Sequence, residues 1–266
     1  MPELPEVETI VRQLNKEIVG KIITHVEVKD RKIAKFVGIE RLNNIKIIKV
    51  GRRGKLLLFY LSNKQVLMVH LKMTGKFFWG LLPDQHTRVI FWLGKKPLVF
   101  NDTRRFGYME LIKEKELANV LINKFGPEIL SLDFKFENFK NALLKKKKSK
   151  IKSLLLDQKF IAGIGNIYAQ EGCFCAGIHP ERLVGSLSDT EIKKLLICLK
   201  KIMNKAVELG GTTADDYVNL YNEAGGYAKY LKVYGRTGLS CKKCGSILLG
   251  KKINGRGTVY CEKCQT

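Results

Sequence analysis

The chain has 266 residues, with 48 Lys+Arg against 25 Asp+Glu and a formal net charge of +23; its sequence pI is about 9.7. At 45% hydrophobic and 27% charged residues it has the composition of a globular protein of one large or two modest domains, which excludes disorder, a collagen-like repeat and a small disulfide scaffold. No apolar run approaches the roughly 20 residues of a bilayer span and no signal peptide opens the chain, so a soluble cytoplasmic protein is expected, its charge surplus suited to a polyanion.

Pro5, followed by Glu6 and Glu8, starts a helix with apolar positions Val7, Ile10, Val11 and Leu14 and a stop at Gly20. Pro2 and Glu3 therefore stand at a helix entrance. Once Met1 is removed, Pro2 carries a secondary amine, which condenses with a sugar aldehyde carbon to give an iminium. Glu3 beside it and Glu6 one turn on have the chemistry to relay protons or hold the amine. The plain alternative is a frayed end whose carboxylates serve the helix dipole.

Short β-type runs follow at Ile22 to Val28, Ile45 to Val50, Leu56 to Leu61, Val66 to Leu71, Val89 to Leu93 and Leu98 to Phe100. Their Gly, Asn, Asp and Lys punctuation predicts a β-sandwich or barrel. Met73 is a strand-end residue in His70-Leu71-Lys72-Met73-Thr74-Gly75. Asn101 to Gly107 reads as a β-turn with two solvated arginines and one anchored aromatic, or as a wedge in which Arg104 and Phe106 enter a base stack.

After Gly126-Pro127 the β signal fades, and 126–150 reads as a linker holding the run Lys145 to Lys148. Helical periods then dominate, as at Ile192, Leu195, Leu196, Leu199, Ile202 and Met203. Gly163-Ile164-Gly165-Asn166 is a turn between helices: an ordinary tight turn, or a cradle where a phosphate meets the next helix's N–H groups and Asn166 adds a donor. Cys241-x2-Cys244-x16-Cys261-x2-Cys264 has the spacing of a structural zinc site with no open position, two disulfides being the alternative. Cys173, Cys175 and Cys198 read as buried or bystander thiols. The expected organisation is α+β and multidomain: a β-sandwich domain over 1–125, the linker, a helical domain over 151–235 and a zinc finger over 236–266.

Together, Met1 to Thr9, Arg52-Arg53-Gly54-Lys55, His70 to Gly75, Asp102 to Gly107, Gly126-Pro127-Glu128, Gly163 to Tyr168, Gly177-Ile178-His179-Pro180 and Gly255 to Cys261 resemble the bacterial formamidopyrimidine-DNA glycosylase family, in order along the chain. The Leu-Pro-Glu-Val-Glu opening resembles its 8-oxoguanine and formamidopyrimidine branch more than the endonuclease VIII branch. The resemblance implies a bifunctional glycosylase and lyase, built from a β-sandwich, a helix-two-turns-helix domain and a zinc finger, which acts as a monomer on a nucleotide flipped out of damaged double-stranded DNA in the nucleoid. It assigns attack on C1′ to Pro2, proton transfer to Glu3, positioning of the N-terminus to Glu6, β-elimination and phosphate contact to Lys55, and δ-elimination to Arg256. Met73, Arg104 and Phe106 match the trio that fills the gap. His86, Arg104, Lys148 and Asn166 match DNA contacts, with Lys152 a second phosphate candidate. One structural zinc is implied.

The chain departs from the family pattern at Arg88, where a second histidine is common, and at Ala228 and Lys229, within a segment resembling the loop that covers a flipped base. Those departures bear on lesion preference. An endonuclease VIII-like enzyme, a non-catalytic damaged-DNA sensor and a general nucleic-acid-binding zinc protein stand as rival readings.

Overall fold

The computed structural model describes residues 1–34, 38–214 and 216–266. Two compact units emerge: Met1–Asn123 with Leu209–Gly226, and Lys124–Glu208 with Tyr227–Thr266.

The first unit opens with α1 (Leu4–Ile18), whose apolar face buries Leu4, Val7, Ile10, Val11, Leu14 and Ile18. Strands β1 (Ile22–Ile23), β2 (His25–Val28), β3 (Ile45–Arg53), β4 (Leu56–Leu61), β5 (Gln65–His70), β6 (Gly75–Trp79), β7 (Thr87–Leu93), β8 (Lys96–Asp102) and β9 (Tyr108–Lys113) follow, then α2 (Glu114–Lys124). They form two antiparallel sheets, ordered β1-β3-β4-β5-β9 and β2-β7-β8-β6. The sandwich is as expected, and its core draws Val50, Leu57, Phe59 and Val69 from one sheet, Phe77, Phe91 and Phe100 from the other, and the buried face of α1. Removing such surface from water drives the assembly, at about 25 cal/mol per Å² of apolar area.

Two details differ from the sequence reading. The single run Ile22 to Val28 is two strands in different sheets, divided at Thr24, whose N–H donates to the Trp92 carbonyl. A one-residue break re-aims the chain because side-chain direction alternates along a strand. Strands β6 and β9 escaped the pattern, lying just beyond the Met73 and Phe106 motifs whose turn chemistry dominates the local signal.

The second unit contains α3 (Phe136–Leu144), α4 (Ile151–Leu155), α5 (Asn166–Ala176), α6 (Asp189–Glu208) and a hairpin of β10 (Leu249–Ile253) and β11 (Arg256–Tyr260). Segment 126–150 is no bare linker. It carries α3, whose Phe139 and Leu143 are fully buried, and the Phe134 carbonyl accepts from Lys200 Nζ on α6 at 2.6 Å. Segment Leu209–Gly226, placed with the helical domain by sequence, groups with the first unit. The reading of three bystander thiols is also corrected: Cys175 and Cys198 form a disulfide between α5 and α6, while Cys173 remains a buried thiol.

Candidate active site and nucleic-acid interface

At the start of α1 a capping box links Glu3 and Glu6: the Glu3 side chain accepts from the Glu6 backbone, and the Glu3 N–H donates to Glu6 Oε2 at 2.8 Å. Glu3 and Glu6 are only 2% and 1% exposed, and Pro2 is buried beside them. The frayed-end alternative therefore fails, since frayed termini are solvated. Glu6 Oε1 accepts the Thr212 N–H at 2.8 Å, and the Tyr217 hydroxyl donates to the Gly210 carbonyl. A Cβ on Gly211, where φ is +89°, would come within 3.1 Å of Glu6 Oε1, so this close approach requires glycine. Burial, and then the Glu6 charge, push the Tyr217 phenol up, keeping it neutral. Glu6 thus straps the helix entrance to Gly211-Thr212 rather than facing water.

The Arg52-Arg53-Gly54-Lys55 turn between β3 and β4 is tied to the same helix. Arg52 Nε donates to Glu8 Oε2 at 2.9 Å, and Arg12 donates to Glu8 Oε1. Burial raises the Glu8 carboxyl, but the two guanidinium groups outweigh it and hold the group below its ordinary value. Lys55 is 4% exposed and lies close enough to His70 to disfavour its protonation. Burial, with Lys72 and Lys55, drives His70 down to about 3, so its neutral Nδ1 accepts the Lys72 N–H at 3.0 Å.

The Met73 and Arg104–Phe106 loops share one anchor. Fully buried Asp102 accepts from the Thr74 hydroxyl at 2.5 Å and from the Gly107 N–H at 2.7 Å, and Thr74 Oγ1 accepts the Arg104 N–H at 3.1 Å. Arg105 is turned away and held by Asp30 through two hydrogen bonds. Phe106 is 50% exposed, with the Arg104 guanidinium 4.7 Å from its ring centroid. The anchored member is therefore an arginine, and the aromatic is the one presented. Arg88, the departure from the family pattern, donates to the Asp102 carbonyl at 2.9 Å and braces the loop. His86 is half-buried, and its carbonyl accepts the Asp102 N–H.

In the second unit Gly126-Pro127-Glu128 supports the glycine turn. The Gly126 N–H donates to the Gln158 carbonyl, the Ala162 N–H to the Pro127 carbonyl, and a Cβ on Gly126 would sit 2.4 Å from the Lys159 oxygen. Gln158 holds the start of the turn, accepting the Gly163 N–H and donating to the Ile164 carbonyl. Asn166 opens α5, but its amide donates to the Gly257 carbonyl at 3.1 Å, linking the turn to the hairpin. Gln170 reinforces this by accepting the Val259 N–H at 2.6 Å. Lys148 is exposed. Lys152 is not: it is fully buried, and Nζ donates to Thr258 Oγ1 at 2.7 Å, so a direct phosphate contact does not fit its placement. Arg256 is exposed at the start of β11, beyond a turn in which Asn254 and Gly255 both have positive φ.

The four sulfurs of Cys241, Cys244, Cys261 and Cys264 lie within 4.8 Å of one another, with Cys244 to Cys261 at 3.5 Å and Cys241 to Cys264 at 4.0 Å. Tetrahedral zinc with arms of about 2.3 Å requires sulfurs roughly 3.8 Å apart, so the donor set fits a closed thiolate metal site and the disulfide alternative is absent. Gly177-Ile178-His179 docks this finger: Gly177 and Ile178 carbonyls accept from Thr266 and Gln265, and the His179 ring meets Tyr260 edge-on at 4.6 Å.

Residues 1–109, 125–218 and 238–266 match, respectively, the formamidopyrimidine-DNA glycosylase N-terminal domain, the H2TH domain of the same enzymes, and the zinc finger found in these glycosylases and isoleucyl-tRNA synthetase. The chain belongs to the formamidopyrimidine-DNA glycosylase family. Curated members from Carboxydothermus hydrogenoformans and Rickettsia conorii are 44% and 41% identical over the whole of this chain and at least 99% of their own. A Lactococcus lactis glycosylase variant bound to Fapy-dG-containing DNA superposes with a TM-score of 0.94 at 36% identity, and the Lactococcus lactis enzyme bound to abasic-site DNA with 0.93; each alignment covers 99% of both chains. Sequence reasoning missed the family member's internal braces, Thr74, Arg88, Asp102 and Gln158. Each is a common polar residue whose partner is distant in sequence or on the backbone.

Proposed function

We infer that this chain is a DNA glycosylase and abasic-site lyase that removes oxidised purines, 8-oxoguanine and formamidopyrimidines, from double-stranded DNA in base-excision repair. The observation that carries the reading is the buried helix entrance, where Pro2 adjoins Glu3 and Glu6 is committed to Thr212. Removal of Met1 frees the Pro2 nitrogen, which attacks C1′ of the flipped nucleotide and displaces the damaged base, forming an iminium with the opened sugar. Glu3 passes the proton to and from the sugar, and its low exposure keeps bulk water from competing. Lys55 assists β-elimination and Arg256 the δ-elimination, leaving a one-nucleotide gap with phosphate at both ends. Met73, Arg104 and Phe106 occupy the space the flipped nucleotide leaves, while His86, Lys148 and Asn166 serve the DNA backbone. For Asn166 this requires that its amide exchange the Gly257 carbonyl for phosphate or engage both.

Cys241, Cys244, Cys261 and Cys264 hold one zinc ion, which stabilises the hairpin that presents Arg256. Lys152 contributes by gripping Thr258, whose hydroxyl donates to the Arg256 carbonyl. The test is excision from matched duplexes carrying 8-oxoguanine, a formamidopyrimidine, thymine glycol or dihydrouracil, using untagged protein shown by mass to lack Met1. Release of the oxidised purines at the higher kcat/KM is expected. Preference for the pyrimidines would transfer the chain to endonuclease VIII-like chemistry, and binding without release would make it a sensor.

A further inference from the structure

The disulfide between α5 and α6 has no place in the repair chemistry. Its two cysteines differ in exposure: Cys175, near the end of α5, is exposed, whereas Cys198 is 6% exposed. Cys175 also forms part of the wall of a cleft of about 330 Å³ lined by Lys201, Lys205 and Lys232 over Phe174 and Tyr227. All three lysines are exposed at their surface. Lys201 and Lys205 follow Cys198 by one and two helical turns, so α6 presents them on the disulfide's side. Lys205 pairs with Glu208 at 2.9 Å. The carboxylate in the wall, Glu171, is turned to the backbone N–H groups of Lys232, Val233 and Tyr234. The cleft therefore offers an anion positive charge, and a small organic body an apolar floor, beside one attackable sulfur.

We propose that the Cys175–Cys198 disulfide and this cleft form a thiol–disulfide exchange site for an anionic low-molecular-weight thiol. The thiolate attacks Sγ of Cys175, the exposed partner, in line with the S–S bond; the bond breaks, and its electron pair leaves on Sγ of the buried Cys198, which takes a proton from water. A second thiolate then attacks the small molecule's own sulfur in the mixed disulfide, releasing Cys175 as a thiolate and a small-molecule disulfide. Two external thiols are oxidised and one protein disulfide is reduced. The reverse sequence restores the bond between the helices. Reduction removes a cross-link of sequence separation 23 and lowers the stability of the helical unit.

Glutathione is a suitable probe, having a net negative charge, and cysteamine is its cationic counterpart. Zinc-loaded full-length protein is treated with each at equal thiolate concentration, quenched in acid, and alkylated, and the cysteine-containing peptides are weighed. Glutathione is expected to open the disulfide several-fold faster than cysteamine, and the difference to shrink in a K201A/K232A variant. Cys198→Ser should retain one glutathione on Cys175 when exposed to oxidised glutathione, whereas Cys175→Ser should carry none on Cys198. The Tm of the oxidised protein should exceed that of the reduced protein by several degrees while zinc remains bound. Equal rates with both thiols, an adduct on Cys198, or both cysteines remaining free thiols in oxidised glutathione buffer would overturn the proposal.

Discussion

The entrance of α1 and the Asp102–Gly107 loop lie in the same unit, yet they are built on opposite plans. At the helix entrance the carboxylates are themselves buried, with Glu3, the proposed proton-transfer group, and Glu6, its neighbour, only 2% and 1% exposed and linked through a capping box. In the loop the buried group is the brace, Asp102, while Phe106 is 50% exposed and Arg104 lies over its ring. The difference matches the tasks proposed for the two regions. A proton-transfer group gains from a fixed, water-poor setting, whereas a wedge has to meet the stacked bases and needs only a rigid base beneath it.

Glu3→Gln breaks the first plan most sharply. Glutamine keeps an oxygen to cap the helix but removes the titratable carboxyl, so single-turnover excision is expected to fall by about 10²–10⁴-fold, with Tm and duplex binding little changed. A comparable fall in binding would show that the carboxylate serves structure rather than proton transfer. Asp102→Ala breaks the second plan from below. It strips the Thr74 hydroxyl and the Gly107 N–H of their acceptor, and an orphaned buried polar group costs about 1–3 kcal/mol. Denaturant unfolding should record that loss, and excision should fall along with it.

Phe106→Ala tests the surface half of the loop. Because the ring is half exposed, stability should change by no more than about 0.5 kcal/mol, while affinity for lesion duplex weakens by about 1–3 kcal/mol, the worth of a ring stacked on a base. An equal loss on undamaged single strands would remove the wedge role. The narrowest test, confined to one window of pH, belongs to His70, near the Lys55 turn. Its folded value of about 3 lies below its ordinary 6.5, so the unfolded chain binds its proton first as pH falls. The stability it contributes is full above pH 6.5 and is lost progressively down to about 3. His70→Asn should flatten the stability curve between pH 6.5 and 4.5, above the range in which carboxylates such as Glu181, held at about 2 from an ordinary 4.5, begin to contribute.

Legibility in the sequence followed the range of the interactions. The zinc cysteines were readable because each Cys-x2-Cys knuckle is local, and the β-sandwich because most of its strands are short apolar runs punctuated by Gly, Asn, Asp and Lys turns. The chemistry of Pro2 and Glu3 was readable as a possibility, but that this end is packed rather than frayed needed the 206-residue reach from Glu6 to Thr212. Lys152 misled because a lysine in a basic chain suggests phosphate, while its actual partner, Thr258, lies 106 residues away. Cys175 and Cys198 misled for a related reason: pairing depends on the packing of α5 on α6, which no spacing rule encodes. The tether of Leu209–Gly226 to the first unit rests likewise on backbone bonds such as Trp79 N–H to Leu220 carbonyl and on the Gly211 approach to Glu6.

The central claim, that the Pro2 amine is the nucleophile, is tested most directly by borohydride trapping on an 8-oxoguanine:cytosine duplex, with the adduct digested and its mass assigned to a peptide. Met1-free protein should give a covalent product confined to the peptide beginning at Pro2, and Pro2→Gly should lose most of it while still binding DNA. A trapped product on a lysine peptide, or none from protein that binds and excises, would contradict the account.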